Sequence, residues 1–362
     1  MSRLGQEASD RIDRDLALLT AAAIDAQTVR WQGLYESFSI WQLEQAVRDT
    51  RYHLQFLSSA LWADEQAIFD EHVEWTRGLF VNLGLPAEWL DGSIMDMRTV
   101  VATALPEEQA RAAPTIIDGS LSSTRIFLGD SELLAGPGEP YGGLSAYYLS
   151  LILGDDPSAV VRSLRDELDA GSSIEDIYLR VIEPAQAELG RLWHLGRLTV
   201  GQEHAACGIT ERAMTEVIAG TRPLRHRKQT LIAACVGEER HSVGLRMVAD
   251  LFTLDGWNVR YFGASTPAAS IVTETERNDA DLVALSVSMS HRIKEVAALV
   301  SALRANDATA EVPILVGGHP FATISKLATL VGPDGFAPDA ATAVELGNRL
   351  AAKRNHPVGS TG

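Results

Sequence analysis

Four short stretches of this chain carry residues whose types and spacing could do chemistry. The first is Val236-Gly237-Glu238-Glu239-Arg240-His241-Ser242-Val243-Gly244. A loop imidazole becomes a metal ligand when a neighbouring acceptor fixes one ring nitrogen and leaves the other free. Glu239, two residues before His241, is placed to be that acceptor, and Gly244 lets a large group approach the backbone. The second is Ser286-Val287-Ser288, where the Ser286 hydroxyl can bond a ring nitrogen. The third is Gly317-Gly318-His319-Pro320-Phe321, whose paired glycines let a flat group slide alongside the backbone. The fourth sets Trp193-His194 ahead of Glu203-His204. Each has a bland alternative: a solvated loop histidine, a turn, or a helical bundle with one buried indole. A phosphate-binding reading fails, because there is no GxxxxGK[ST] and no GxGxxG after the first strand of this region.

The elements that must position these residues are legible from the hydrophobic period. From Gln229 onward, apolar runs near 230–236, 257–262, 281–287 and 312–316 alternate with helical patterns near 241–254, 268–277, 291–305 and 320–331. A short strand at Gly335-Phe336-Ala337 leads to a last helix over 340–353. Strand–helix alternation predicts a five-stranded parallel sheet of flavodoxin/Rossmann-like type with helices on both faces. Ligands of such sheets bind beyond the carboxyl ends of the strands, and the first three stretches all fall on that edge. Upstream, helical spacing over 144–153, 158–170, 173–192 and 199–219 with short connections predicts a four-helix bundle. Asp156-Pro157 and Ser173 supply helix starts.

Residues 1 to about 128 read as all-helical, with patterns over 10–26, 39–61 and 64–83. Five of the seven tryptophans fall here, Trp31, Trp41, Trp62, Trp75 and Trp89, together with His53 and His72. Most of these aromatics are expected in the core, yet so many indoles would also offer flat walls to a planar ligand such as a tetrapyrrole. The cysteines, Cys207 and Cys235, lie elsewhere, so a chromophore held here would be non-covalent. Gly136-Pro137-Gly138 and the glycines that follow mark a linker. The expected organisation is a Trp-rich helical domain over 1–136, a four-helix-bundle cap over 137–225, a Rossmann-like domain over 226–355 and a disordered tail over 356–362.

A net charge of −17 argues against general nucleic-acid or anionic-membrane binding, which needs a basic face. Two cysteines make neither a disulfide framework nor a zinc site. The sequence shows neither a signal peptide nor an apolar run of about 18 residues, so a cytoplasmic protein is expected.

Taken together, Glu239-x-His241-x-x-Gly244, Ser286-x-Ser288 and Gly317-Gly318 resemble the three-part cobalamin signature DxHxxG…SxL…GG. The resemblance implies that His241 replaces the cofactor's own base as lower cobalt ligand, with the displaced tail in a slot past the Ser and Gly residues. Arg240, Ser242, Val243, His319 and Phe321 complete the implied contacts. Glu239 departs from the usual Asp and Ser288 from the usual Leu. The W-x9-EH spacing of Trp193, Glu203 and His204 is similar to the cap of light-sensing cobalamin proteins typified by CarH. That resemblance covers about residues 144–352. It implies adenosylcobalamin as chromophore, Trp193 and Glu203 against the adenosyl group, His204 completing the pocket, and His194 as an upper cobalt ligand after light. The acidic, Trp-rich helical N-terminal region is similar in architecture to photocobilins, which also bind a bilin such as biliverdin. His53, His72, Trp62 and Trp75 are the candidate bilin contacts by residue type. The implied activity is a light sensor, not an enzyme, that signals through an effector protein or through self-association. The rival reading is a corrinoid methyl carrier of a methyltransferase system.

Overall fold

The computed structural model describes residues 3–123, 125–127, 142–223 and 225–355. The boundary expected near 136 and the tail over 356–362 lie outside the described residues. The chain divides into two compact units, Met1–Gly129 and Asp130–Gly362.

The first unit is helical: α1 (Arg3–Arg14), α2 (Leu16–Arg30), α3 (Gln32–Ser37), α4 (Ile40–Ala63), α5 (Ala67–Asn82), α6 (Ala87–Ala104) and α7 (Ala112–Ser122). The helix expected over 10–26 is split at Asp15, whose ψ of 13° leaves the helical range. A capping box at Ser39 and Gln42 starts α4, and Asp64 in the left-handed region ends it. Leu54, Leu57, Ile68, Phe69, Val73, Leu90, Ile94 and Met97 fill the core. The indoles do not, contrary to expectation. Trp41 is 66% exposed, and Trp31, Trp62, Trp75 and Trp89 are only half-buried. The inward stripe of α4 is Leu54, Leu57 and Leu61, at heptad spacing, so branched aliphatic side chains take the space between helices. Trp31 instead covers Gly92, where an added Cβ would meet the indole at 2.5 Å.

The second unit begins with the bundle: α8 (Gly142–Leu153), α9 (Pro157–Asp169), α10 (Ile174–Ile177), a π-turn over Tyr178–Ile182, α11 (Glu183–His194) and α12 (Val200–Ile218). The π-turn interrupts what the spacing predicts as one helix over 173–192. Pro184 explains it: proline has no N–H to give the Arg180 carbonyl, and its ring crowds that carbonyl. The Glu183 N–H reaches back to the Tyr178 carbonyl, the longer π-type bond.

The sheet then alternates β1 (Thr230–Val236), α13 (Val243–Leu254), β2 (Asn258–Thr266), α14 (Ala268–Arg277), β3 (Leu282–Ser286), α15 (Ile293–Ala305), β4 (Ile314–Gly317), α16 (His319–Thr323), α17 (Lys326–Val331), β5 (Gly335–Phe336) and α18 (Ala340–Asn355). All pairings are parallel, in the order β2-β1-β3-β4-β5. The expected fold is therefore the observed one. Every residue of β1 is buried, as a central strand covered on both faces must be. The bundle and sheet share a core: Met247, Leu251 and Ala340 pack among Tyr148, Tyr178, Ile182 and Met214. Two polar contacts also join them. The Tyr178 hydroxyl donates to Asp250 at 2.8 Å, and the Ser242 hydroxyl donates to Glu211 at 2.6 Å.

Candidate functional site

Sheet register brings the three loop stretches to one edge. Cys235 pairs with Ser286 and Ser286 with Gly317, so β1, β3 and β4 end in a single row across the sheet. The Glu239–Gly244 loop, Ser288 and Gly318 follow directly from that row.

Glu239 is buried and joins two of the loops. Its Oε1 accepts the His241 backbone N–H at 3.0 Å and the His241 Nδ1–H at 2.5 Å. Its Oε2 accepts the Ser288 backbone N–H at 2.7 Å. Burial works to raise the carboxyl, but the hydrogen bonds from His241 and Ser288 overcome it and bring its pKa to about 2. The His241 imidazole is pushed up, first by the hydrogen bond to Glu239, against burial, and further by the charges of Glu239 and Glu203. With Nδ1 committed to Glu239, the nitrogen left to a metal is Nε2, and the side chain is 62% exposed.

The glycines have separate reasons. Gly318 has φ +106° and a Cβ there would lie 1.9 Å from the Val287 carbonyl oxygen, so only glycine fits. An added Cβ at Gly317 would press the Ala337 carbonyl at 3.3 Å. At Gly244, an added Cβ would meet no protein atom within 4 Å, so the exposed α13 N-terminus borders open space. Ser286 and Ser288 are half-buried, His319 and Arg240 exposed, Val243 half-buried and Ser242 buried on Glu211. Phe321 lies in the interior, tilted on Phe336 at 6.3 Å between ring centres. That places it beneath the β4 loop as packing, away from any exposed surface.

The cap residues bracket the α11–α12 connection. Half-buried Trp193 and buried His194 end α11. A capping box of Thr199 and Gln202 starts α12 and places Glu203 in its first turn. Glu203 is paired with exposed His204 and accepts the Cys207 thiol at 3.1 Å. In the first unit, His53 and His72 share a hydrogen bond of 2.7 Å, and His72 stacks on Phe56 at 3.9 Å. Two of the bilin candidates are thereby brought together.

Sequence reasoning missed several supporting residues. Cys207 lies one turn after Glu203 on α12, a spacing that could have pointed to it. Glu211, two turns after Glu203, holds Ser242. Arg292, nearly buried, pairs with Glu238 and Glu295 beside the first loop and lowers His241 slightly by its charge; no motif marks it.

A helical cap joined to a parallel sheet, with an anchored imidazole on the first sheet loop and Gly244 bordering open space, suits a corrin with an axial protein ligand. Residues 229–345 match the B12 binding domain family, and residues 147–218 match a second B12 binding domain family. The class is thus a cobalamin-binding protein. The chain is 26% identical over 205 residues to the HTH-type transcriptional repressor CarA of Myxococcus xanthus, covering 56% of this chain and 66% of that protein. It is 27% identical over 158 residues to CarH of the same organism, 44% and 52% of the two lengths. A corrinoid protein of Desulfitobacterium hafniense is 27% identical over 126 residues, 35% and 57%. The chain thus spans about half to two thirds of the length of these relatives. In fold, it resembles the structure of the monomethylamine corrinoid protein of Methanosarcina barkeri, with TM-score 0.52 and 16% identity over 58% of this chain and all of that one. In its second unit the chain therefore resembles the CarH-like cobalamin-binding repressors. Its relatives bear the names of repressors and corrinoid proteins rather than of enzymes. No helix among the described residues is long and apolar enough to cross a membrane.

Proposed function

We propose that this protein is a light sensor whose chromophore is adenosylcobalamin. Bound there, the cofactor supplies a cobalt–carbon bond that light cleaves. His241 offers Nε2 to the metal from the sheet side, with Glu239 holding its other nitrogen. Ser286, Ser288, Gly317 and Gly318 border the slot for the displaced tail, and Arg240, Ser242, Val243, Gly244 and His319 line its approach. Trp193, Glu203 and His204 face the adenosyl group from the cap. His194, buried at the end of α11, would have to leave its packed position to reach the metal.

The observation that carries this reading is the 2.6 Å bond from Ser242, next to His241, to Glu211: it ties the proposed lower ligand's loop to α12, the helix that carries Glu203 two turns earlier. A ligand between them touches bundle and sheet at once. Because those parts share a core and the Tyr178–Asp250 and Ser242–Glu211 bonds, a change on the cap side has a route to the sheet. The signal then leaves through an effector protein or through self-association.

The test is an absorption spectrum of the protein reconstituted with adenosylcobalamin, before and after green light, with hydrodynamic size measured in both states. An unchanged spectrum and size would sink the reading. The corrinoid relative supports one rival, a methyl carrier. Tighter binding of methylcobalamin than of adenosylcobalamin would favour it.

A second pigment, a bilin such as biliverdin, is proposed for the helical unit, with His53, His72, Trp62 and Trp75 as its contacts. The paired histidines and half-buried indoles support this, and the absence of cysteine from residues 1–129 makes the attachment non-covalent. Co-expression with a bilin source should add a red or far-red band; its absence removes the bilin and leaves the cobalamin reading intact.

A further inference from the structure

A hydrogen-bond chain runs from the bundle core to Glu203. It starts at Tyr148 on α8, whose hydroxyl donates to Thr210 Oγ1 over 2.9 Å. Thr210 gives its own hydrogen to the Ala206 carbonyl at 3.0 Å. Gln186 on α11 donates its amide Nε2–H to the same Thr210 oxygen at 2.9 Å. That oxygen has two lone pairs, and both are now used. The Gln186 amide is thereby oriented: with Nε2 on Thr210, its Oε1 faces Cys207, 3.3 Å from Sγ. Cys207 Sγ is also 3.1 Å from Glu203 Oε1. A thiol has one proton, so it serves one of these oxygens at a time, and the ionised carboxylate is the stronger acceptor. The other carboxylate oxygen of Glu203 is paired with His204.

We propose that Cys207 is a positioning residue of the cap: aimed by Gln186, its thiol holds the Glu203 carboxylate in the orientation that meets the adenosyl group. The inference rests on the adenosyl reading of Glu203 given above. Burial, together with Glu203, pushes the Cys207 thiol up to about 12, so at neutral pH the group stays a donor. Alanine at 207 removes the donor. Serine keeps an O–H aimed at the same oxygen.

The test uses the full chain and two cofactor forms, adenosylcobalamin and hydroxocobalamin, titrated by absorbance, with the melting temperature of each cofactor-free variant. Cys207→Ala should weaken adenosylcobalamin about three- to tenfold, the loss expected for one hydrogen bond. Hydroxocobalamin, with no adenosyl group to meet, should bind as before. Cys207→Ser should restore most of the adenosylcobalamin affinity. Parallel weakening of both forms marks a merely structural cysteine and overturns the proposal, as does an unchanged adenosylcobalamin affinity in the alanine variant. A wild-type protein that does not bind adenosylcobalamin overturns the adenosyl reading itself. That outcome is visible before any variant is made.

Discussion

Glu239 is one methylene longer than the aspartate of the signature it resembles, and the added reach has a use. One oxygen takes both donors of His241, and the other takes the Ser288 amide across the sheet edge. Removing a group that orients a metal ligand typically costs 10–100-fold in affinity. Glu239→Ala should therefore weaken cobalamin binding by about that factor, whereas Glu239→Asp should keep the imidazole contact, lose the Ser288 bridge and cost a few-fold. His241→Ala should bind, if at all, without the spectral form of an imidazole-ligated cobalamin; an unchanged spectrum would remove His241 as the ligand. Gly318 makes a different residue-scale prediction. Gly318→Ala drives a Cβ into the Val287 carbonyl and strains a φ of +106°, so the second unit should lose more than about 1 kcal/mol in urea unfolding. The same residues show what a sequence can convey. Spacing marked His241 and both glycines, because side-chain type decides those positions. It marked Ser288 only as a departure from Leu, yet the contact made there comes from the backbone amide, which every residue except proline carries.

At the scale of elements, period and punctuation carried most of the fold. The five strands and the bundle follow from the switch between helical and strand spacing, and Ser39, Asp156, Ser173 and Thr199 cap helices with their side chains. What the pattern misses is local conflict. Strand β2 runs to Thr266, past the expected end at 262, because its pairing with β1 continues through register shifts that no apolar run announces. The π-turn was hidden because Pro184 sits inside otherwise unbroken helical spacing. That turn places the Tyr178 hydroxyl on Asp250, itself paired with Arg246. Tyr178→Phe removes a hydrogen bond to a charged group, so about 1–3 kcal/mol should be lost from the second unit, read as a lower urea midpoint at unchanged slope. In the first unit, burial lowers His53 from 6.5 to about 4 where α4 meets α5. The unfolded chain then binds the proton more readily than the folded one between those values. Stability is full above 6.5 and falls as pH drops toward 4. Between pH 7 and pH 5 the first unit should lose about 2 kcal/mol, and His53→Gln should flatten that dependence.

At the scale of the whole molecule, the division of labour is itself testable. Both B12-binding matches, over 147–218 and 229–345, fall in the second compact unit, as does every residue proposed to hold cobalamin. A ligand that binds only the folded state stabilises what it binds by RT ln(1 + [L]/Kd), about 2.7 kcal/mol at one hundred times Kd. For a unit of this size that amounts to roughly 5–10 °C in melting temperature. Calorimetry of the full chain should therefore resolve two transitions, with adenosylcobalamin in the dark raising one and leaving the other in place. The unmoved transition is that of the helical unit, identifiable because His53→Gln should flatten its pH dependence and leave that of the other transition unchanged. Green light before the scan should reduce the shift of the first transition, because the groups on Trp193 and Glu203 would no longer be engaged while His241 remains. A single transition that rises with cofactor would instead show that the units unfold as one body, and the helical unit would then share in the cobalamin response directly.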